Sequence, residues 1–291
     1  MPSSTAPPES TSFLLSYPTP QILLITINRP KAMNSIPSFA HWEADAILKW
    51  FDNSPELRVA IITGAGEKAF CAGQDLIEQA KVKADPPPMP TTKHPTSGFC
   101  GISRRAGKKP IIAAVNGDLV VASPLATFGL PEAAVGLYAA AGGLPRLVRN
   151  CGLQIATEIA LTNRRLSAKE ALSYNLINKI TQSPETLLKE SVEMAEKIVA
   201  LNPDAVIVSR AGLREAWETG SVERATQIVA QRYDQQLFEG ENMKIGLEAF
   251  AQKKKPLWVP SKIEGIIKLL GSHLEFTFED RDVKTLHSYF E

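Results

Sequence analysis

The stretch that most constrains what this chain can fold into spans residues 109–146, KPIIAAVNGDLVVASPLATFGLPEAAVGLYAAAGGLPR. Two apolar runs, 110–115 and 119–122, are bounded by Pro and Gly and are too short for helices, so they read as buried strands. A Phe-Gly-Leu-Pro-Glu segment follows, and an Ala/Gly-rich step then leads into a helix. One carboxylate, Glu132, is thereby carried into or beside an apolar core. Two readings fit it: a first-turn acid complementing a helix dipole after Pro131, or a group kept there for its chemistry.

The hydrophobic share of 44% is ample for a globular core, in one domain or in a core with an appendage. Residues 1–12, MPSSTAPPESTS, are polar and Pro/Ser-rich and read as a loose arm. QILLITIN at 21–28 and RVAIIT at 58–63 are strands. Between them Ser35 can cap a helix whose first turn takes Pro37, with Phe39, Trp42, Ala46, Leu48 and Trp50 as its apolar stripe up to Asn53. After the second strand comes GAGEKAFCAGQD at 64–75, a loop of small residues opening into a short helix near Asp75. Small side chains let a ligand approach backbone N–H groups closely, and those groups suit an anion or a polarised carbonyl. An ordinary turn with Gly at positive φ is the bland alternative. The loop is neither a P-loop nor a GxGxxG fingerprint.

DPPPMPTTKHPT at 85–96 reads as a surface loop, and 98–108 as a short basic helix. Beyond Arg146 helices are expected over 154–161, 168–174, 184–201, 203–219, 222–238 and 242–253, with a last short strand at 176–181. Ser167 and Ser221 are placed as caps. Strands alternating with helices first, and helices alone later, point to an α/β core with a helical C-terminal layer.

With 32 basic and 31 acidic residues the formal net charge is +1, which argues against a general nucleic-acid or acidic-membrane surface. No apolar run has the length of a membrane span. Cys71, Cys100 and Cys151 form no CxxC pair and no metal spacing, so reduced thiols in an intracellular compartment are expected. His41, His94, His273 and His287 are scattered, and none pairs with a nucleophile or a second ligand at a metal spacing.

Four motifs occur in order: NRPKAMNS at 28–35, KAFCAGQDL at 68–76, KPIIAAVNG at 109–117, and FGLPE at 128–132 followed by Gly136 and AGGLPR at 141–146. Together they resemble the enoyl-CoA hydratase/isomerase (crotonase) family over roughly residues 20 to 258. The wording is also similar to fungal enoyl-CoA isomerase/hydratases of toxin and polyketide biosynthetic clusters. The resemblance implies a crotonase-like α/β spiral of ββα units with a helical C-terminal trimerisation region, giving homotrimers or hexamers. It implies an acyl-CoA substrate in fatty-acid or secondary-metabolite metabolism, with no metal or redox cofactor because coenzyme A belongs to the substrate. Carried over by residue, Ala72 supplies an N–H to the thioester oxygen, Ala32, Ala69, Gly73, Gln74, Asp75 and Leu76 line the CoA path, and Glu132 is the general acid/base. Removing a proton next to a thioester, or adding water across its conjugated double bond, puts negative charge on the carbonyl oxygen, and losing one fixed donor to it typically costs ~2.7–4 kcal/mol.

The chain also departs from the family. After Asn116-Gly117 the family continues with an aliphatic-Gly-Gly-Gly turn and a buried helix bearing the second oxyanion N–H and, in hydratases, a second catalytic Glu. Here Gly117 runs straight into Asp118, and Val115-Asn116-Gly117-Asp118 reads locally as a two-residue hairpin. A catalytically impaired acyl-CoA-binding subunit is therefore the alternative function. The expected organisation is an arm at 1–12, a crotonase core at 13–200, a helical region at 201–258 and a tail at 259–291 without family counterpart. Ser261-Lys262-Ile263 resembles a peroxisomal tripeptide but is internal, which leaves a peroxisomal expectation beside a cytoplasmic one.

Overall fold

The computed structural model describes residues 6–84, 94–113 and 118–265. Strands β1 (Phe13–Thr19), β2 (Ile22–Ile27), β3 (Val59–Gly64) and β4 (Ile111–Ala113) form one sheet in the order β1-β2-β3-β4. The first pair is antiparallel and the other two are parallel, with helix α1 (Ser38–Asn53) crossing between β2 and β3. Alternation along the strands sorts their side chains. Leu23, Ile25 and Ile27, with Ala60, Ile62, Ile111 and Ala113, pack on α1. Ile22, Leu24, Val59, Ile61 and Ile112 face the opposite layer, where α6 (Leu187–Val199) presents Ala195. Burial on both faces explains why these strands read as unbroken aliphatic runs.

Strand β1 was not evident in the sequence. FLLSYPT alternates weakly and carries Pro18, and it is tolerated at the sheet edge with a register shift between Ser16 and Thr19. The arm ends before residue 12: Ser10 Oγ, Thr11 N–H and Ser12 N–H all donate to the Glu43 carboxylate, and Ser12 is buried. Helix α1 also turns a different face inward from the expected stripe. Ala40, Ala44, Ile47, Leu48 and Phe51 are buried, whereas Phe39 and Trp42 are about half exposed. Small Ala40 and Ala44, rather than the large aromatic residues, face the sheet and let the helix sit close on it. Pro37 precedes the first turn, and the cap comes from Glu78, whose Oε2 accepts from Ser38 N–H (2.8 Å) and Oγ (3.0 Å). At the other end the buried Lys109 ammonium donates to Phe51 O (2.8 Å) and Ser54 O (2.5 Å), and burial lowers its pKa to about 7.

The expected basic helix at 98–108 is only a 3-10 turn, Phe99–Gly101, with Cys100 at φ 50°. Most of the expected loop at 85–96 lies outside the described residues, as do Asn116 and Gly117 of the expected hairpin. A hairpin would make its flanks antiparallel. Instead Leu119 bridges Ile112 in parallel, with Ala113 N–H on Leu119 O (2.9 Å) and Asp118 N–H on Ile111 O (2.9 Å). Strand β5 (Val121–Ala122) then pairs in parallel with β8 (Lys179–Ile180), and β6 (Thr127–Phe128) antiparallel with β7 (Leu166–Ser167).

The helices come close to expectation: α2 (Leu76–Ala84), α3 (Gly143–Cys151), α4 (Leu153–Thr162), α5 (Ala168–Ser173), α7 (Pro203–Glu218), α8 (Val222–Phe238) and α9 (Glu241–Ala251). Ser167 and Glu170 form a capping box at α5, and Ser221 caps α8. Ile263 packs into the α7–α8 layer beside Ile207, Val208 and Tyr233, and its carbonyl accepts from Lys108 Nζ (2.7 Å).

Helix α6 is tied to β8 through Glu190, which accepts from Lys179 Nζ (2.6 Å), Thr186 Oγ1 (2.6 Å) and Gln182 N–H (2.9 Å). These donors, Lys179 first, lower its pKa from 4.5 to about 2. A folded-state pKa below the unfolded one gives stability that is present above about pH 4.5 and lost as the pH falls through 2. The Tm difference between wild type and Glu190→Gln should therefore shrink over that window, and a pH-independent difference would contradict the linkage.

Candidate active site

The first two motifs fold into one unit. Asn34 is fully buried at φ 55°, and its Nδ2 donates to Ala65 O (2.9 Å) and Ala69 O (2.7 Å) while its Oδ1 accepts from Arg29 N–H (2.9 Å). Arg29 Nη1 in turn reaches Ser35 O (2.6 Å) and Asp75 Oδ2 (2.9 Å). Gly64 has to be glycine, because a Cβ there would lie 2.7 Å from Asn34 Nδ2 and 2.8 Å from Ala69 O. The 65–75 loop is thus clamped against 29–36 by amide and guanidinium bonds.

The clamp decides which backbone donors remain available. Ala72, expected to polarise a thioester, gives its N–H to Met33 O (3.0 Å). Gly73 N–H points at Cys71 Sγ (3.4 Å). Gln74 forms a parallel bridge with Ile36 in which Ile36 N–H donates to Gly73 O (2.8 Å) and Asp75 N–H donates to Ile36 O (3.0 Å). Ile36 takes both bonds of this bridge, so Gln74 N–H is directed to the other edge, and it meets no acceptor among the described residues. Beside it Gly73 adopts φ 92° with open space where a side chain would stand, so glycine is required there by conformation rather than crowding. The donor that the geometry leaves open is Gln74 N–H, two residues beyond the expected one. Two-residue alternation along an extended loop was the available signal, since Ala72 and Gln74 differ only in what lies opposite them.

The other expected site residues divide by role. Asp75 caps α2, its Oδ1 accepting from Ile77 and Glu78 N–H (both 3.2 Å), and it pairs with Arg29. Burial alone would raise its carboxyl, but the Glu78 N–H, Arg29 and Ile77 N–H outweigh that and hold it below the usual carboxylate range. It is a structural acid. Leu76 starts α2 with its side chain 41% exposed, while Ala32 and Ala69 are half-buried along the clamp. Burial pushes the Cys71 and Cys100 thiols up, so both stay neutral, and all three cysteines are unpaired.

Glu132 lies in a 3-10 turn, Pro131–Val135, among exposed neighbours, and so not inside the apolar core that it was expected to enter or adjoin. It is half-buried; its side chain caps nothing, and Oε2 is buried without a hydrogen-bond partner. No hydrogen bond or ion pair connects it to the 72–76 loop among the described residues. Glu132 is thus the first-turn acid of this turn after Pro131, as the first reading has it, with no capping bond beside it.

Two histidines that no sequence signal marks stand beside Gln74. His41 Nε2 is 2.9 Å, and His94 Nε2 3.3 Å, from Gln74 Oε1, and the two rings meet edge to face at 4.3 Å. No spacing rule joins residues so far apart in the chain. Among the described residues no group of three or more His, Cys, Asp or Glu could hold a metal ion, and no helix is long and apolar enough to cross a membrane.

A clamped loop with an open backbone donor, beside a parallel sheet, together with an uncommitted carboxylate on a separate segment, has the parts of an acid–base enzyme acting next to a polarised carbonyl. The chain belongs to the enoyl-CoA hydratase/isomerase family, whose model matches residues 19–261. Among its relatives, a mevalonyl-coenzyme A hydratase of Aspergillus fumigatus is 43% identical over 274 residues, covering 90% of this chain and 100% of that protein. The corresponding protein of Beauveria bassiana is 40% identical over 273 residues, with 86% and 95% covered. A carnitinyl-CoA dehydratase of Escherichia coli is 35% identical over 257 residues, with 81% and 94% covered. A crystal structure of enoyl-CoA hydratase from Mycobacterium tuberculosis superposes with a TM-score of 0.75 at 31% identity, covering 86% of this chain and 99% of that one. The fold is the crotonase fold. The alternative of an impaired acyl-CoA-binding subunit finds no support in these relatives, which are named for hydration or dehydration.

Proposed function

We propose that this enzyme interconverts a 3-hydroxyacyl-CoA and its 2,3-enoyl-CoA, on a polar acyl chain of the mevalonyl class. The observation that carries this reading is the Glu132 carboxylate, which has a buried oxygen and no structural partner among the described residues. In the hydration direction, Glu132 takes a proton from water as the water oxygen bonds to C3, and the double-bond electrons move onto the thioester oxygen. Gln74 N–H holds that oxygen. The Glu132 acid then delivers its proton to C2, regenerating the carboxylate. One carboxylate thus serves both transfers, which suits a chain without the family segment after Gly117. The relatives' names favour hydration over isomerisation.

The test is dehydration of mevalonyl-CoA by the purified full chain, followed through the absorbance of the conjugated enoyl thioester, with a 3-enoyl-CoA as the isomerisation control. Turnover of the hydroxyacyl thioester supports the proposal; turnover of the 3-enoyl thioester alone, or of neither, overturns it.

The assembly belongs to the same proposal. Leu125, Tyr138, Leu161, Phe250 and Leu257 are all more than 70% exposed, and this supports a homotrimer or hexamer that covers them. Sedimentation as a monomer would refute it. For location, the burial of Ile263 favours the cytoplasmic alternative over a receptor-read Ser261-Lys262-Ile263.

A further inference from the structure

Resting on the acyl-CoA reading above, we propose that the side-chain amide of Gln74 is a specificity-determining donor for an uncharged oxygen, a hydroxyl, on the acyl chain beyond the reacting carbons. The direction of the amide follows from its neighbours. His41 lies on α1, 1% exposed, and Cys100 N–H donates to its Nδ1 at 3.0 Å. A backbone N–H can only donate, so Nδ1 carries no proton. Deep burial keeps the ring neutral, with its pKa lowered to about 4, and its single proton is therefore on Nε2. Nε2–H must meet an acceptor, and this fixes the Gln74 atom at 2.9 Å as Oε1 rather than Nε2.

The second imidazole reinforces the arrangement. His94 Nε2 lies 3.3 Å from the same oxygen, and burial together with Arg104 lowers its pKa, so it too is held neutral. Phe99 packs against His41 at 4.7 Å between ring centroids and limits how both rings can turn. With the oxygen turned toward the two rings, the amide NH2 is directed away from them, and neither of its N–H groups meets an acceptor among the described residues.

A glutamine that needed only water would gain little from such an arrangement, since fixing its side chain costs rotamer entropy. The same residue also leaves its backbone N–H open. One residue can thus hold the thioester oxygen through its main chain and a second substrate oxygen through its side chain. The rings behind the amide are uncharged, so the amide offers the second oxygen a neutral donor. That matches a hydroxyl better than a carboxylate.

The experiment compares mevalonyl-CoA with its 5-deoxy analogue, 3-hydroxy-3-methylpentanoyl-CoA, in wild type, Gln74→Met and Gln74→Glu. Both variants lose the NH2 donor, and Gln74→Glu keeps an acceptor facing the histidines. The readout is the ratio of kcat/KM for the two thioesters, so any shared loss of rate cancels. Wild type should prefer the hydroxylated substrate by about tenfold, as one neutral hydrogen bond predicts, and the ratio should fall to near one in both variants. His41→Phe, which acts through Gln74, should lower the ratio partially. An unchanged ratio in the two Gln74 variants, or no preference in wild type, overturns the proposal. Should wild type turn over neither thioester, the hydratase reading fails separately, and the ratio of their dissociation constants in the same variants decides this proposal by the same criterion.

Discussion

Glu132→Gln is expected to lower kcat by about 10²–10⁴-fold, the usual range for removing a positioned proton-transfer group, while leaving stability within about 0.5 kcal/mol. Both halves follow from the same observation. The Glu132 side chain makes no hydrogen bond or ion pair among the described residues and caps no helix, so an amide of equal size removes nothing that supports the fold. It removes only the capacity to hold and return a proton. A helix-dipole acid would behave in the opposite way, losing about 0.3–1 kcal/mol of stability with the rate unchanged. Turnover of a hydroxyacyl-CoA and a urea titration of the same two proteins separate the cases. KM should change little, because an isosteric amide leaves the shape of the site as it was. Equal kcat would remove Glu132 from the mechanism.

How far the sequence could be read depended on the kind of interaction involved. The central strands were legible because burial on both faces leaves uninterrupted aliphatic runs, as in Ile22–Ile27 and Val59–Gly64. The helix ends were legible where the caps are local, as at Ser167 and Ser221. What escaped was set by contacts distant in sequence. Helix α1 is capped by Glu78, forty residues away, and its inward face is chosen by how closely Ala40 and Ala44 approach the sheet. In the same way the motif around Ala72 points to this loop, but which of its backbone N–H groups stays open depends on Met33 O lying opposite Ala72 and Ile36 lying beside Gln74. Local rules also favoured a hairpin after Val115, whereas the parallel pairing of Leu119 with Ile112 follows the sheet direction set by β2 and β3.

That parallel pairing leads to the second large effect. Asp118→Asn is expected to destabilise the fold by roughly 1–3 kcal/mol, the cost of weakening charge-assisted hydrogen bonds at a part-buried ion pair. Asp118 Oδ2 accepts from Ile111 N–H (2.9 Å) and Arg210 Nε (2.8 Å), and Oδ1 lies 3.7 Å from Arg214 Nη1. It thereby holds the start of β4 and the α7 helix to the segment that enters β5. Among the described residues it is also the only acid lining the pocket that contains Arg105, Arg146, Arg210 and Arg214. Arg105 is paired with Asp52 (2.5 Å), but its Nε is buried without a partner. Among the described residues Arg146 meets only carbonyl oxygens, those of Gly142 and Ser103. An amide at 118 could still accept one hydrogen bond. It could not offset the charge of Arg210 and Arg214, and their mutual repulsion would then act in a site where burial already disfavours the Arg214 cation. The cost should therefore be electrostatic more than geometric. Urea denaturation of Asp118→Asn, and of Asp118→Leu combined with Arg210→Met, distinguishes the two: the double variant should recover most of the loss, because an apolar pair needs no desolvation. A loss below about 1 kcal/mol in the single variant would class this pair with solvent-screened surface bridges, and the segment after β4 would then have to be held by backbone pairing alone.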